Sequence, residues 1–189
     1  TRFVPGHRSG ITAVACCGFA VVSGSAEGAL ISVDGETGAQ ITVFSGHTGS
    51  ILALAVVDGY LFSSSVDKTV CVWNISSGNI LKRVITASPV CSFISHEETH
   101  NLWVGLTNGL IEVWRTRPDD GFAVERTIRD HEGRPLTSLK GFSAVDTQKL
   151  WTVASNGGNK VWCSSYNKVE QAMNATVDSL RAVITQDTI

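Results

Sequence analysis

Residues 46–78 read GHTGSILALAVVDGYLFSSSVDKTVCVWNISSG, and residues 6–38 read GHRSGITAVACCGFAVVSGSAEGALISVDGETG. Laid over one another at an offset of 40, Gly6-His7 falls on Gly46-His47, Ser23 on Ser63, Glu27 on Asp67 and Thr37-Gly38 on Ser77-Gly78, with no gap. Self-similarity at a fixed period of this length marks a repeat architecture, in which one supersecondary unit stacks on the next.

Two further copies follow when the chain is anchored on tryptophan. LFSSSVDKTVCVW ending at Trp73 matches LWVGLTNGLIEVW ending at Trp114 and LWTVASNGGNKVW ending at Trp162. Leu61, Leu102 and Leu150 stand at the start of these segments, each followed by an aromatic: Phe62, Trp103 and Trp151. All five tryptophans therefore occupy two repeat positions. Within each unit, short Val/Ile/Leu/aromatic runs are divided by turn residues at Asp58-Gly59, Asp67-Lys68, Ser77-Gly78 and Asn108-Gly109. Such runs are too short and too β-branched for helices and predict strands. No amphipathic helix precedes the last twenty residues, and even there Val177 and Leu180 repeat the spacing of Val90 and Phe93.

The 189 residues are 43% hydrophobic and 17% charged, which is globular and far from a disordered composition. With 15 Lys+Arg against 17 Asp+Glu, there is no polybasic surface calling for nucleic acid or an anionic membrane. No apolar run reaches membrane-spanning length, and the opening TRFVPGHRSG has no signal-peptide core. Cys16, Cys17, Cys71, Cys91 and Cys163 are odd in number and form no C-x-x-C pair, which favours reduced, packed thiols in a cytoplasmic protein.

These residues resemble the WD40 repeat family, whose repeats carry Gly-His near the start and Trp-Asp near the end. The likeness covers essentially the whole chain and is fullest in the second unit, with Gly46-His47, Ser63, Asp67 and Trp73-Asn74. The resemblance implies an all-β fold: a WD40-type β-propeller with about four four-stranded antiparallel blades present, part of a larger, seven-bladed ring. It also implies a hydrogen-bonded set in which Asp67 fixes the tautomer of His47 and Ser63 bridges to the indole N–H of Trp73. A buried polar group without a partner costs roughly 1–3 kcal/mol, so such a set is physically sensible.

The other units depart from that pattern. The first has His7, Ser23 and Glu27, but Val33 replaces the tryptophan; the third keeps Trp114 but has Val104, Asn108 and no histidine. The fourth has His131, Thr152, Asn156 and Trp162, with Cys163 after the tryptophan. Apolar packing is expected to carry the blades that lack the polar set. The register assigns residues 1–5 to the outer strand of a preceding blade. It assigns 6–45, 46–85, 86–129 and 130–173 to four blades, and 174–189 to the start of another. An open arc would expose apolar faces and strand edges. The remaining blades are therefore expected from a longer chain, with self-association of arcs as the alternative.

HEETH, residues 96–100, matches the zinc-protease pattern H-E-x-x-H. That pattern needs a helix, where positions i and i+4 share a face and both imidazoles reach one ion. Here it falls in the turn between the two inner strands of the third unit, with no room for a helix and no third ligand. No metal, cofactor or catalytic residue is expected. Cys16-Cys17 reads as a strand end, NGGN at 156–159 as a turn, and the mixed-sign stretch from Arg115 as an exposed connection and outer strand between blades.

The expected activity is that of an interaction scaffold rather than an enzyme, presenting loop rims to protein or peptide partners, with no nucleic acid and no membrane insertion. In WD40 proteins the usual contact face lies just before and just inside the innermost strand and just before the turn Asp. By register these positions are Ser50, Leu52 and Val66; Pro89, Cys91 and Thr107; and Pro135, Thr137 and Ser155. The set is small and uncharged, so it predicts a partner with an apolar or aromatic anchor. The alternative is a regulatory propeller within a larger enzyme, since LWVGLTNGLIEVW is similar in style to repeats preceding the phosphatase domain of some inositol-polyphosphate 5-phosphatases.

Overall fold

The computed structural model describes residues 6–96, 100–129, 136–144, 147–154, 158–163 and 168–174, with the backbone alone beyond Leu136. Residues 1–5 and 175–189, assigned above to flanking blades, lie outside the described residues.

Four meanders follow one another. The first sheet pairs β1 (Ile11–Cys17), β2 (Ala20–Ser25), β3 (Leu30–Asp34) and β4 (Gln40–Phe44) in sequence order; the second pairs β5 (Ile51–Val57), β6 (Tyr60–Ser65), β7 (Thr69–Asn74) and β8 (Ile80–Ile85). The third holds β9 (Val90–His96), β10 (Asn101–Leu106), β11 (Ile111–Arg115) and β12 (Val124–Ile128), and the fourth β13 (Leu136–Ala144), β14 (Thr147–Ala154), β15 (Gly158–Cys163) and β16 (Lys168–Asn174). All pairings are antiparallel. First strands lie beside first strands, β1 against β5, β5 against β9 and β9 against β13, so the sheets fan from their inner edges.

The repeat found in the sequence is reproduced in the ladder registers. Leu61 pairs with Trp73, Leu102 with Trp114 and Leu150 with Trp162. Each innermost strand carries one extra residue near its start: Thr12, Leu52, Cys91 and Thr137. A second irregularity falls at Val33, Trp73, Trp114 and Trp162, where the third strand meets the fourth. Such bulges add local twist and re-aim side chains. Their recurrence shows that four sequences of differing polarity make one object.

Middle strands explain why the sequence lacks clean alternation. β6 and β10 are buried almost throughout, because both faces of a sheet in this stack meet a neighbour. The seam between the first two sheets is formed by Val22, Leu30 and Phe44 against Ile51, Leu61, Cys71 and Trp73, with Phe44 and Trp73 in edge contact at 5.5 Å between centroids. Phe62, Val70 and Val72 meet Val90, Leu102, Val104, Leu106 and Trp114 in the next, and Trp103, Ile111 and Val113 meet Leu136 in the third. Two glycines are dictated by these seams. A Cβ on Gly24 would lie 2.5 Å from Ile51, and one on Gly46 would lie 3.0 Å from the Trp73 ring.

The stretch from Arg115 departs from expectation in one place. It holds a short 3-10 turn at Pro118–Asp120 and the outer strand β12, but Phe122 is buried rather than exposed. Its φ of 52° places it in the left-handed region and turns the ring edge-on to Tyr60 and Phe62 of the preceding sheet. Lys82 of that sheet donates to the carbonyl of Gly121 beside it. Roughly 2 kcal/mol of aromatic burial outweighs the cost of one residue in this region, about 1–2 kcal/mol.

Candidate functional site

Two constellations arise from these elements: a buried polar relay within the second sheet, and the loops that border the seams. The relay begins at the loop before β5. His47 Nε2 lies 2.8 Å from Ser63 Oγ, and the Trp73 indole N–H donates to the same oxygen at 2.7 Å. An indole is a donor only and a carboxylate an acceptor only, so Ser63 accepts from Trp73, the neutral His47 keeps its proton on the nitrogen facing Asp67, and its Nε2 accepts the Ser63 proton. His47 is thereby protonated at Nδ1, which donates to Asp67 Oδ2 at 3.0 Å. Asp67 also accepts from the Thr48 N–H at 3.0 Å and from the Thr69 hydroxyl at 2.7 Å.

Charges follow this geometry. Burial alone would raise the Asp67 carboxyl, but hydrogen bonds from Thr69, Thr48 and His47 prevail and hold it down to about 2. Burial lowers His47 despite its hydrogen bond to Asp67, so the contact joins a neutral imidazole to a carboxylate. Neutral His47 with both nitrogens engaged has no lone pair to offer a metal or substrate.

The first sheet repeats the histidine and serine with a different outcome. His7 Nε2 lies 2.8 Å from Ser23 Oγ, but Val33 supplies no indole proton, and Ser23 donates to the carbonyl of Ile31 at 3.3 Å. Ser23 is then the acceptor and His7 the Nε2–H donor, opposite to His47. Its Nδ1 has no partner. Glu27, which aligns with Asp67, accepts from the Arg8 backbone N–H at 3.0 Å instead. Its longer side chain bypasses the imidazole.

The third sheet corrects the expectation that apolar packing alone carries it. Trp114 donates to Glu112 Oε2 at 2.8 Å, within its own strand. Glu112 stands at the ladder position held by Cys71 in the second sheet. The available signal was a charge at an apolar position beside a tryptophan whose serine had become Val104. In the fourth sheet, Thr152 pairs with Lys160 and Leu150 with Trp162, matching Ser63–Cys71 and Leu61–Trp73. The side chains of Thr152 and Trp162, and the whole of His131, lie outside the described residues.

HEETH is divided between a strand and a turn. His96 ends β9 opposite Asn101, so the strand runs further into the motif than the sequence suggested. Glu97, Glu98 and Thr99 lie outside the described residues. His100, at φ 51°, directs Nδ1 to Asp58 Oδ1 at 3.0 Å across the seam. Thr116 donates to the same carboxylate at 2.6 Å. Burial would raise Asp58, but Thr116 and His100 hold it below the usual carboxylate range. An imidazole turned toward a neighbouring sheet from a hairpin cannot join His96 in a helical zinc site. Burial also raises the thiols of Cys71 and Cys91, which disfavours a nucleophilic thiolate at either.

The predicted rim residues fall at matching places. Val66 N–H donates to the Ser50 carbonyl and Thr107 N–H to the Pro89 carbonyl, each at 2.9 Å, and Ala26 N–H donates to Gly10 at 3.0 Å. Leu52 and Cys91 are the bulge residues of their strands, and the Cys91 thiol has the carbonyls of Gly105 at 3.3 Å and Leu136 at 3.5 Å as alternative acceptors for its one proton. Ser50, Leu52, Pro89, Cys91 and Thr107 are half-buried, whereas Val66 is 51% exposed. Thr137 holds the bulge position of β13; its side chain, Pro135 and Ser155 lie outside the described residues.

Residues 38–74 match the family model described as WD domain, G-beta repeat. The pre-rRNA-processing protein crb3/ipi3 of Schizosaccharomyces pombe is 32% identical over 77 residues, covering 38% of this chain and 17% of that protein. The RRP9 WD40 repeats superpose with a TM-score of 0.78 at 20% identity, over 91% of this chain and 53% of that one. A computationally designed protein, Ika4, superposes at 0.66 with 28% identity, over 85% and 95%. The chain spans under a fifth of its curated relative and about half of the RRP9 repeats.

Proposed function

The chain belongs to the WD40 repeat family, and from that premise we propose that it is a protein-interaction scaffold without chemistry of its own. The observation that carries this reading is the rim clamp repeated in three sheets, Gly10–Ala26, Ser50–Val66 and Pro89–Thr107. It ties two loops of each sheet together at one edge of the stack by a backbone hydrogen bond, and in the second sheet this leaves the Val66 side chain exposed. The exposed Val66, bordered by uncharged Ser50 and Leu52, suits an apolar or aromatic anchor on a protein partner. The pre-rRNA-processing relative supports a role in RNA processing, which this chain serves through protein contacts. The RNA-processing part of the proposal rests on that relative rather than on an inositol-polyphosphate 5-phosphatase. Among the described residues no helix is long and apolar enough to cross a membrane.

Affinity capture with Val66→Asp and Leu52→Asp, alongside an Asp119→Ala control, tests the proposal. Loss of captured proteins in the first two variants, with melting temperature and control binding unchanged and with nuclease treatment without effect, is the expected result. Capture that disappears on nuclease treatment and ignores both rim variants would reject it.

A further inference from the structure

The second sheet has a described neighbour on each face, yet its outer strand β8 carries Leu81 at 48% exposed and Ile85 at 83% exposed. In β4 the exposed Ile41 and Val43 alternate with Thr42 and Phe44, which face the second sheet. They belong to the face of the first sheet that has no neighbour among the described residues. No such explanation covers β8. Its Ile80 and Arg83 both approach Gly46, and Leu81 is the bulge residue between them, so Ile80, Leu81, Arg83 and Ile85 share the side toward the first sheet. Lys82 and Val84 point the other way, into the seam with the third sheet.

The edge is open in its backbone as well. β8 ends the strand order of its sheet, and the Thr86 N–H donates inward to the Lys68 carbonyl at 2.9 Å. Alternation along an antiparallel strand then turns the N–H and C=O groups of Arg83 and Ile85 outward. Sheet edges are ordinarily guarded by projecting charges, prolines or bulges. β8 has no proline, its bulge sits at its start, and both of its cations are folded back. Lys82 donates to the Gly121 carbonyl, and the Arg83 guanidinium donates to the Gly46 carbonyl at 2.6 Å. Neither cation forms an ion pair among the described residues, so their positive charge is held in place and uncompensated.

We propose that β8 is a docking edge for an extended acidic segment of a protein partner, which adds to the second sheet as one more strand. Main-chain hydrogen bonds to Arg83 and Ile85 hold it, and alternate side chains give the specificity. Residues directly opposite one another in a ladder lie on the same face. The segment therefore places a carboxylate opposite Arg83, flanked two positions away on each side by apolar residues that cover Leu81 and Ile85. Charge selects this occupant. A second copy laying its own β8 antiparallel across the edge would set Lys82 and Arg83 against the same two cations, and like charges directly opposite destabilise a ladder. This edge is separate from the rim of Ser50 and Val66, and it does not depend on what that rim binds.

The test uses two short synthetic peptides of alternating threonine and valine, one with glutamate at its centre and one with lysine, titrated into the protein at low ionic strength. The glutamate peptide should bind at least about threefold more tightly than the lysine peptide. At saturation it should slow amide hydrogen exchange at Arg83 and Ile85 at least about fivefold. Arg83→Glu should reverse the preference, so that the lysine peptide binds better, with the melting temperature unchanged. Ile85→Pro, which removes an outward donor and no ladder bond, should abolish binding of both. Equal binding of the two peptides, no binding of either, or protection confined to other strands would overturn the proposal. So would protection of β8 without peptide together with a dimer on sedimentation, which would identify a second copy as the occupant. Val66→Asp and Leu52→Asp should leave peptide binding unchanged, so failure of the rim reading is separately visible.

Discussion

The first and second sheets each place a histidine nitrogen 2.8 Å from a serine hydroxyl, yet the proton runs opposite ways. In the second sheet Trp73 donates to Ser63, and Asp67 holds the His47 proton on Nδ1, giving a directed chain from indole to carboxylate. In the first sheet Val33 removes the donor, Ser23 turns to a backbone carbonyl, and His7 is left with an orphaned Nδ1. Equal distances therefore conceal unequal energetics. The acceptor-only carboxylate sets the direction of the network, and it can do so only when its side-chain length brings it to the imidazole.

That contrast can be broken by mutation. His47→Ala removes one partner each from Asp67 and Ser63, so it should cost about 2–3 kcal/mol, against about 1 kcal/mol for His7→Ala; urea unfolding of the two variants measures the difference. Equal losses would mean that the relay adds nothing beyond a single pair. The third sheet offers a second comparison, because Glu112 alone serves Trp114. Glu112→Leu should cost about 1–2 kcal/mol by leaving the indole unpaired, and Glu112→Gln, which keeps an acceptor, under about 1 kcal/mol.

Acid sharpens the comparison further. Both His47 and Asp67 have folded values below their ordinary ones, so their contributions are present at high pH and decline on acidification. For His47 the stability is complete above its ordinary value of 6.5 and is lost as pH falls below it. For Asp67 it is complete above 3.8 and is lost as pH falls through about 2. Denaturant midpoints measured across pH should show both declines; His47→Gln should flatten the upper one and Asp67→Asn the lower one. The smallest effect in energy is the most direct in structure. Nitrogen-15 shifts at neutral pH should report an Nδ1–H tautomer for His47 and an Nε2–H tautomer for His7, and a shared tautomer would refute the reversed proton direction.

Much of the architecture was legible in the chain because a repeat stacks on itself. Leu61, Leu102 and Leu150 stand at one distance before their tryptophans because each pair faces across a ladder. Glu112 was not legible, since its role depends on a vacancy left by Val104 on the neighbouring strand. Nor was Phe122, whose burial requires a left-handed turn and the aromatic rings of the preceding sheet. His100 was legible as a turn residue, but its pairing with Asp58 joins residues from two different sheets.

The amino-acid order by itself determined the period and the strand pairings within each sheet, because these depend on spacing along one unit, and its resemblance to the WD40 family implied the His47–Ser63–Asp67–Trp73 set. Tertiary structure decided where protons reside, which glycines must stay small, and which apolar face has no neighbour among the described residues. Those depend on what lies across a seam, and a seam joins positions some forty residues apart whose chemistry a local reading does not bring together.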